Sequence, residues 1–170
     1  MTWDLNCVVA DIPKYLKARP MWKGFPIPFT TLIKPDGDPD FRVTDQERWA
    51  LCVTKGLCGL CGQPLVYWQA FIGGEKCKES HLFFDPAMHV ECAEFAAKAC
   101  PFIVGCKGYS IKTDQDSTAD RLISSERPEH MYLFKTRGYD LVKIEGNIYI
   151  KAQPFKFIRE IERVHQAKSV

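Results

Sequence analysis

Cys58-Gly-Leu-Cys61-Gly62 and, with 27 residues between Cys61 and His89, His89-Val-Glu-Cys92 are two pairs of metal-ligand residues with two residues inside each pair. Three thiols and one imidazole make up a complete tetrahedral set for Zn²⁺. Gly59 and Gly62 let the backbone bend tightly around a metal at Cys58 and Cys61. Asp85-Pro86 reads as an N-cap followed by a first-turn proline. That predicts a helix carrying His89 and Cys92 one turn apart on one face.

Between the pairs, 64–72 is apolar, Gly73-Gly74 resembles a turn, and a second segment runs to Phe84. This predicts a β-hairpin. Knuckle, hairpin and helix in that order are the layout of a treble-clef zinc finger. The expected fold class is α+β, with the finger embedded in small antiparallel sheets and followed by a C-terminal helix.

Around it the chain divides into five stretches of one domain, 1–170. Residues 1–28 are irregular and rich in aromatics and proline, including Tyr15, Trp22 and Phe25 beside Pro13, Pro20, Pro26 and Pro28. In 29–56, strands at 29–33 and 41–43 flank the turn Pro35-Asp-Gly-Asp-Pro39, and Thr44 with Glu47 forms a capping box opening a helix over 45–55. Gly56 closes that helix, and Trp49, Cys52 and Val53 form its inward stripe. The finger occupies 57–106, and a polar loop 107–128. Within 129–170, strands at 131–136, 140–144 and 148–152 are expected, with Gly146-Asn147 turning the last pair. Pro154 opens an amphipathic helix to about residue 168, striped by Ile158, Ile161, Val164 and His165.

The chain of 170 residues carries a formal charge of +2, too little to announce a nucleic-acid partner. Residues 57–106 hold 3 basic and 5 acidic groups, whereas 107–170 hold 12 and 9. The finger is thus the acidic part, and α-helical Glu91, Glu94 and Lys98 are poor base readers. No export signal or spanning stretch is read, so the expected location is the cytoplasm, where eight cysteines act as metal ligands and buried hydrophobes rather than disulfides. Cys77 is the reserve ligand should His89 point elsewhere; the plainer account makes it a strand cysteine beside a surface His81. Cys7, Cys52, Cys100 and Cys106 read as buried thiols. His130 and His165 lack a partner pattern.

Phe41-Arg-Val-Thr-Asp-Gln-Glu-Arg48, Cys58-Gly-Leu-Cys-Gly-Gln-Pro-Leu65, Cys77 after the double glycine, and His89-Val-Glu-Cys-Ala-Glu-Phe-Ala-Ala-Lys-Ala-Cys-Pro-Phe102 resemble a family of small uncharacterised bacterial and phage proteins. The likeness covers about 26–103, with a looser echo after His130. It implies the metal site, a role for Cys77 and Cys100 in packing beside the metal, and a phage or mobile-element origin. It implies no reaction.

HNH endonucleases share the treble-clef layout, but their hairpin needs a His beside another His or Asp. Here it offers Glu79, Ser80 and His81. The expected function is therefore a non-enzymatic, zinc-stabilised binding protein with structural Zn²⁺, acting through a protein partner as a phage-type inhibitor or accessory factor. The alternative is a nucleic-acid-binding protein or a degenerate HNH-like nuclease. In that alternative, Lys135, Arg137, Lys143 and Lys151 near Tyr132, Tyr139 and Tyr149 follow a single strand.

Overall fold

The computed structural model describes residues 11–100, 103, 122–123 and 128–162. The expected roles of Cys7, Cys106, Val164 and His165, and nearly all of the polar loop, fall outside them. Elements run α1 (Lys14–Lys17), β1 (Met21–Trp22), β2 (Phe25–Pro26), β3 (Thr31–Ile33), β4 (Pro39–Thr44) and α2 (Gln46–Lys55). Then follow β5 (Gln69–Gly73), α3 (Glu75–Ser80), β6 (Leu82–Phe83), β7 (Met88–His89) and α4 (Val90–Ala99). The chain continues through β8 (Tyr132–Thr136), β9 (Tyr139–Ile144), β10 (Asn147–Ala152) and β11 (Phe157–Glu160). The class is α+β with small antiparallel sheets.

A four-stranded sheet in the order β11-β8-β5-β7 lies at the centre, and a three-stranded sheet β6-β10-β9 packs beside it. β5 pairs with β8 from Gln69↔Thr136 to Gly73↔Tyr132. Its run Ala70-Phe71-Ile72 is apolar without alternation because both faces are covered. Ala70 and Leu133 join one core with Cys58, Cys61, Cys92 and the alanines of α4. Phe71 and Phe134 face the other, with Phe83, Tyr149 and Ile150. Each such fully buried side chain contributes about 1.5–3 kcal/mol.

The strand pair before the finger forms as expected, with β3 and β4 antiparallel. Helix α2 is capped one residue later than read: the Asp45 carboxylate, not Thr44, accepts from the Arg48 N–H at 3.1 Å. Gly56 ends it in the left-handed conformation at φ 67°. The β9–β10 hairpin is present, but its two left-handed residues are Glu145 and Gly146, one position earlier than read. Within 1–28, the aromatic segment supplies the helical turn α1 and the small hairpin β1–β2.

Two larger expectations fail. The Gly73-Gly74 hairpin is absent: Gly74 caps α3, and β5 pairs with β7 and β8 instead of folding back on the next segment. Glu75-Lys-Cys-Lys-Glu-Ser80 is built of helix formers, with Glu75 in the first turn where the helix dipole favours it. The C-terminal helix is also absent from the described part of 154–168. Phe157–Glu160 instead adds β11 to the edge of β8, with Phe157↔Lys135 and Ile158↔Phe134 in register. Spacing of Ile158 and Ile161 by three mimicked a helical stripe, and backbone pairing to the open edge won.

Candidate metal centre

The two ligand pairs meet at the edge of the central sheet. The knuckle is closed by its own backbone: Cys58 N–H donates to the Gln63 carbonyl at 2.8 Å and Gly62 N–H to the Cys58 carbonyl at 2.9 Å. Gly62 sits at φ +74°, and a Cβ there would lie 2.6 Å from the Phe29 ring, so conformation and space both require glycine. Gly59 is needed for room alone, since its Cβ would press on Pro86 at 3.3 Å. Gly59 N–H also donates to the Ala87 carbonyl at 3.0 Å, tying the knuckle to the approach of the second pair.

The helix bearing that second pair starts later than Asp85-Pro86 suggested. Pairing of β7 with β5, Gln69↔His89 and Ala70↔Met88, keeps the backbone extended through His89. His89 is therefore the N-cap residue of α4 and Cys92 lies in its first turn. There the helix N-terminus favours a thiolate.

Cys58, Cys61, His89 and Cys92 are all buried, and one ligand atom from each lies within 4.8 Å of every other. His89 Nδ1 is 3.3 Å from Cys61 Sγ and 3.9 Å from Cys92 Sγ. A tetrahedron with zinc-type bond lengths has edges of roughly 3.5–3.8 Å, so these spacings fit a shared ion. Nε2–H of His89 donates to the Pro64 carbonyl at 2.8 Å, which leaves Nδ1 with its lone pair turned toward the thiols. The Tyr15 ring stacks on the imidazole at 5.5 Å and holds its plane. The His89 N–H donates to Cys58 Sγ at 3.4 Å. The four cysteine and histidine side chains can thus hold a metal ion.

Protonation follows this crowding. Hydrogen bonds from Cys61 and Cys92, with His89 behind them, draw the Cys58 thiol well below its ordinary value. Its neighbour Cys61 is pushed up to about 11 by the hydrogen bond it gives Cys58. Cys92 moves up for the same reason. His89 is raised by its bond with Cys58. A metal replaces these shared protons by binding the deprotonated set. Arg19 stands near enough to Cys61 for its charge to be felt, and Arg19 and Arg48 both lie over Phe29, at 5.6 and 5.1 Å.

The other described cysteines are outside the ligand set, although the Cys52 thiol donates to the Cys58 carbonyl at 3.9 Å. Cys77, the reserve ligand, lies in α3 inside the second core, and its thiol donates to the Ile123 carbonyl at 3.8 Å. Burial pushes Cys77 and Cys52 up to about 12, as expected of neutral core thiols. Cys100 is a half-buried thiol just past α4. His81 stacks flat on Phe155 at 4.1 Å.

Of the four expected nucleic-acid contacts, only Lys135 and Arg137 come together. Lys143 and Lys151 lie on β9 and β10 of the other sheet. The tyrosines read beside them are engaged elsewhere: the Tyr139 hydroxyl donates to the Val53 carbonyl at 2.8 Å, and Tyr149 is buried. Sequence reasoning missed the Pro64 carbonyl and Tyr15, which orient His89 from positions without any ligand signature. Among the described residues no helix is long and apolar enough to cross a membrane. Comparison of the chain with protein-family models, with curated proteins and with solved structures finds no match.

Proposed function

We propose that Cys58, Cys61, His89 and Cys92 hold a structural Zn²⁺ in a treble-clef-like finger, and that the protein acts by binding rather than by catalysis. The observation that carries this reading is the buried convergence of four protein ligands within 4.8 Å. Four filled positions leave no place for an activated water, which is the mark of a structural zinc. The departure from the expected hairpin does not disturb the treble-clef reading at its ends. The first pair still comes from a glycine-bearing knuckle and the second from the start of a helix, with β5 and β7 paired between them.

When bound, the ion supplies cross-linking energy rather than Lewis-acid chemistry. In zinc-finger peptides that energy is roughly 10–16 kcal/mol at neutral pH. The chain's own residues orient the site: Pro64 fixes the imidazole tautomer, Tyr15 its plane, and Gly62 the knuckle. Native mass spectrometry of the intact protein tests this. One zinc per chain, lost in Cys58→Ala, is expected; a metal-free folded protein would remove the reading. Metal-dependent cleavage of plasmid DNA by the purified protein would instead favour the nuclease alternative.

A further inference from the structure

One end of the central sheet gathers residues that the metal site does not use. Tyr67 and Trp68 lead into β5, Arg137 follows β8, and Lys156 precedes β11. In-register pairing Ala70↔Lys135↔Phe157 brings these strand ends side by side. Lys135 Nζ lies 4.6 Å from the centre of the Trp68 ring, and the Arg137 guanidinium lies 4.5 Å from that of Tyr67. The two rings meet edge to face at 5.1 Å. Tyr67 is 59% exposed and Phe157 50%.

The strand ends themselves carry charge of one sign. The contributing stretches 64–74, 131–139 and 152–159 contain no Asp or Glu. Among the described residues, Arg159 is the one cation of these stretches that pairs with a carboxylate, that of Glu94 on α4. A chain of net charge +2 thus sets Lys135 and Arg137 against aromatic rings at this end, with Lys156 just ahead of the neighbouring strand, its N–H donating to the Lys135 carbonyl at 2.8 Å.

We propose that this end binds single-stranded nucleic acid, with bases stacking on Tyr67, Trp68 and Phe157 while Lys135, Arg137 and Lys156 neutralise phosphates. The proposal rests on the reading of the protein as a binding module. Rings already bordered by cations match an alternating ligand of flat bases and anionic links. An acidic protein partner would use the cations but have little need of the exposed rings of Tyr67 and Phe157 beside a half-buried Trp68. Duplex DNA presents its bases stacked and inaccessible, so a single strand is the fitting form.

Fluorescence anisotropy of a labelled 20-nucleotide oligo(dT) tests this with the zinc-loaded full chain. Binding is expected to weaken about tenfold in Tyr67→Ala, the loss of one stacked base. Lys135→Gln and Arg137→Gln should each flatten the slope of log K against log salt by roughly 0.7. Tyr67 is the preferred site of change because its exposure spares the fold; quenching of tryptophan fluorescence on binding, diminished in Trp68→Ala, is a second readout. Equal affinity for duplex of the same length, salt-dependent binding indifferent to Tyr67→Ala, or no binding at 100-fold protein excess over the probe would each overturn the proposal. Capture of a protein partner lost in Tyr67→Ala, without oligonucleotide binding, would overturn it too. Native mass spectra of the same samples report zinc separately, so a failed patch and a failed metal site give different results.

Discussion

On one side of the central sheet, Phe71, Phe83, Phe134 and Phe155 stack in a chain, with ring centres 4.5 Å apart for Phe71–Phe83 and for Phe134–Phe155. On the other side stand Ala70, Ala93, Ala97 and Ala99 with the cysteines. The same sheet is thus closed by stacked aromatic rings on one face and, on the other, by an alanine-rich helix and a Cys/His cluster set among Leu16, Phe95, Leu133 and Ile161. Alanines let α4 approach the sheet closely but bury little area each, so the helix itself adds less hydrophobic volume to that face than the phenylalanines add to the other. The proposed metal would add cross-linking on that face. Difference in composition between the two faces therefore reads as a difference in what each would lose.

The largest effect should come from the small-residue face. Cys92→Ala, or excess chelator, is expected to remove the metal and with it roughly 10 kcal/mol, comparable with the whole stability of an ordinary domain. Hydrogen exchange should show 57–65 and 88–99 losing protection before 141–152. Simultaneous loss would mean that the metal holds both faces. Phe134→Ala attacks the aromatic face and should cost about 3–5 kcal/mol in urea unfolding while the metal stays bound. Loss of metal in that variant would erase the distinction between the faces.

A smaller effect is expected from Gly62→Ala, which forces a left-handed alanine against Phe29. Strain of this kind costs of order 1–3 kcal/mol, visible as a lowered unfolding midpoint with one metal retained. The smallest lies at the sheet end away from Tyr67. Exposed His130 is raised from its ordinary value, first by the hydrogen bond between Nδ1 and Glu160 Oε1 at 2.6 Å. Because the folded-state value is the higher one, its contribution to stability is complete below about pH 6.5 and fades as pH rises through the folded value. NMR titration should find His130 titrating above that pH, and Glu160→Gln should return it to the ordinary range.

Local chemistry made much of this molecule legible in the sequence. The ligand spacing, Gly56 after α2, and the strand segments 140–144 and 148–152 around Gly146 each encode their element within a few residues, and each forms. What escaped was long-range. Nothing within 69–73 announces that β5 pairs with residues some sixty positions away, and without that partner the double glycine looked like a hairpin turn. Phe157–Glu160 was misread for the same reason, since the open edge of β8 is invisible from its own sequence. The site itself was found by its side chains, while the carbonyl of Pro64 that sets the His89 tautomer carries no sequence signal at all. Lys135 and Arg137 were picked out, but their aromatic partners Tyr67 and Trp68 lay across the sheet.

Zinc K-edge X-ray absorption of the purified protein tests the central claim most directly. Three sulfur neighbours at roughly 2.3 Å and one nitrogen at roughly 2.0 Å are expected. A zinc shell made only of oxygen and nitrogen, or fewer than three sulfurs per ion, would contradict the assignment of Cys58, Cys61, His89 and Cys92.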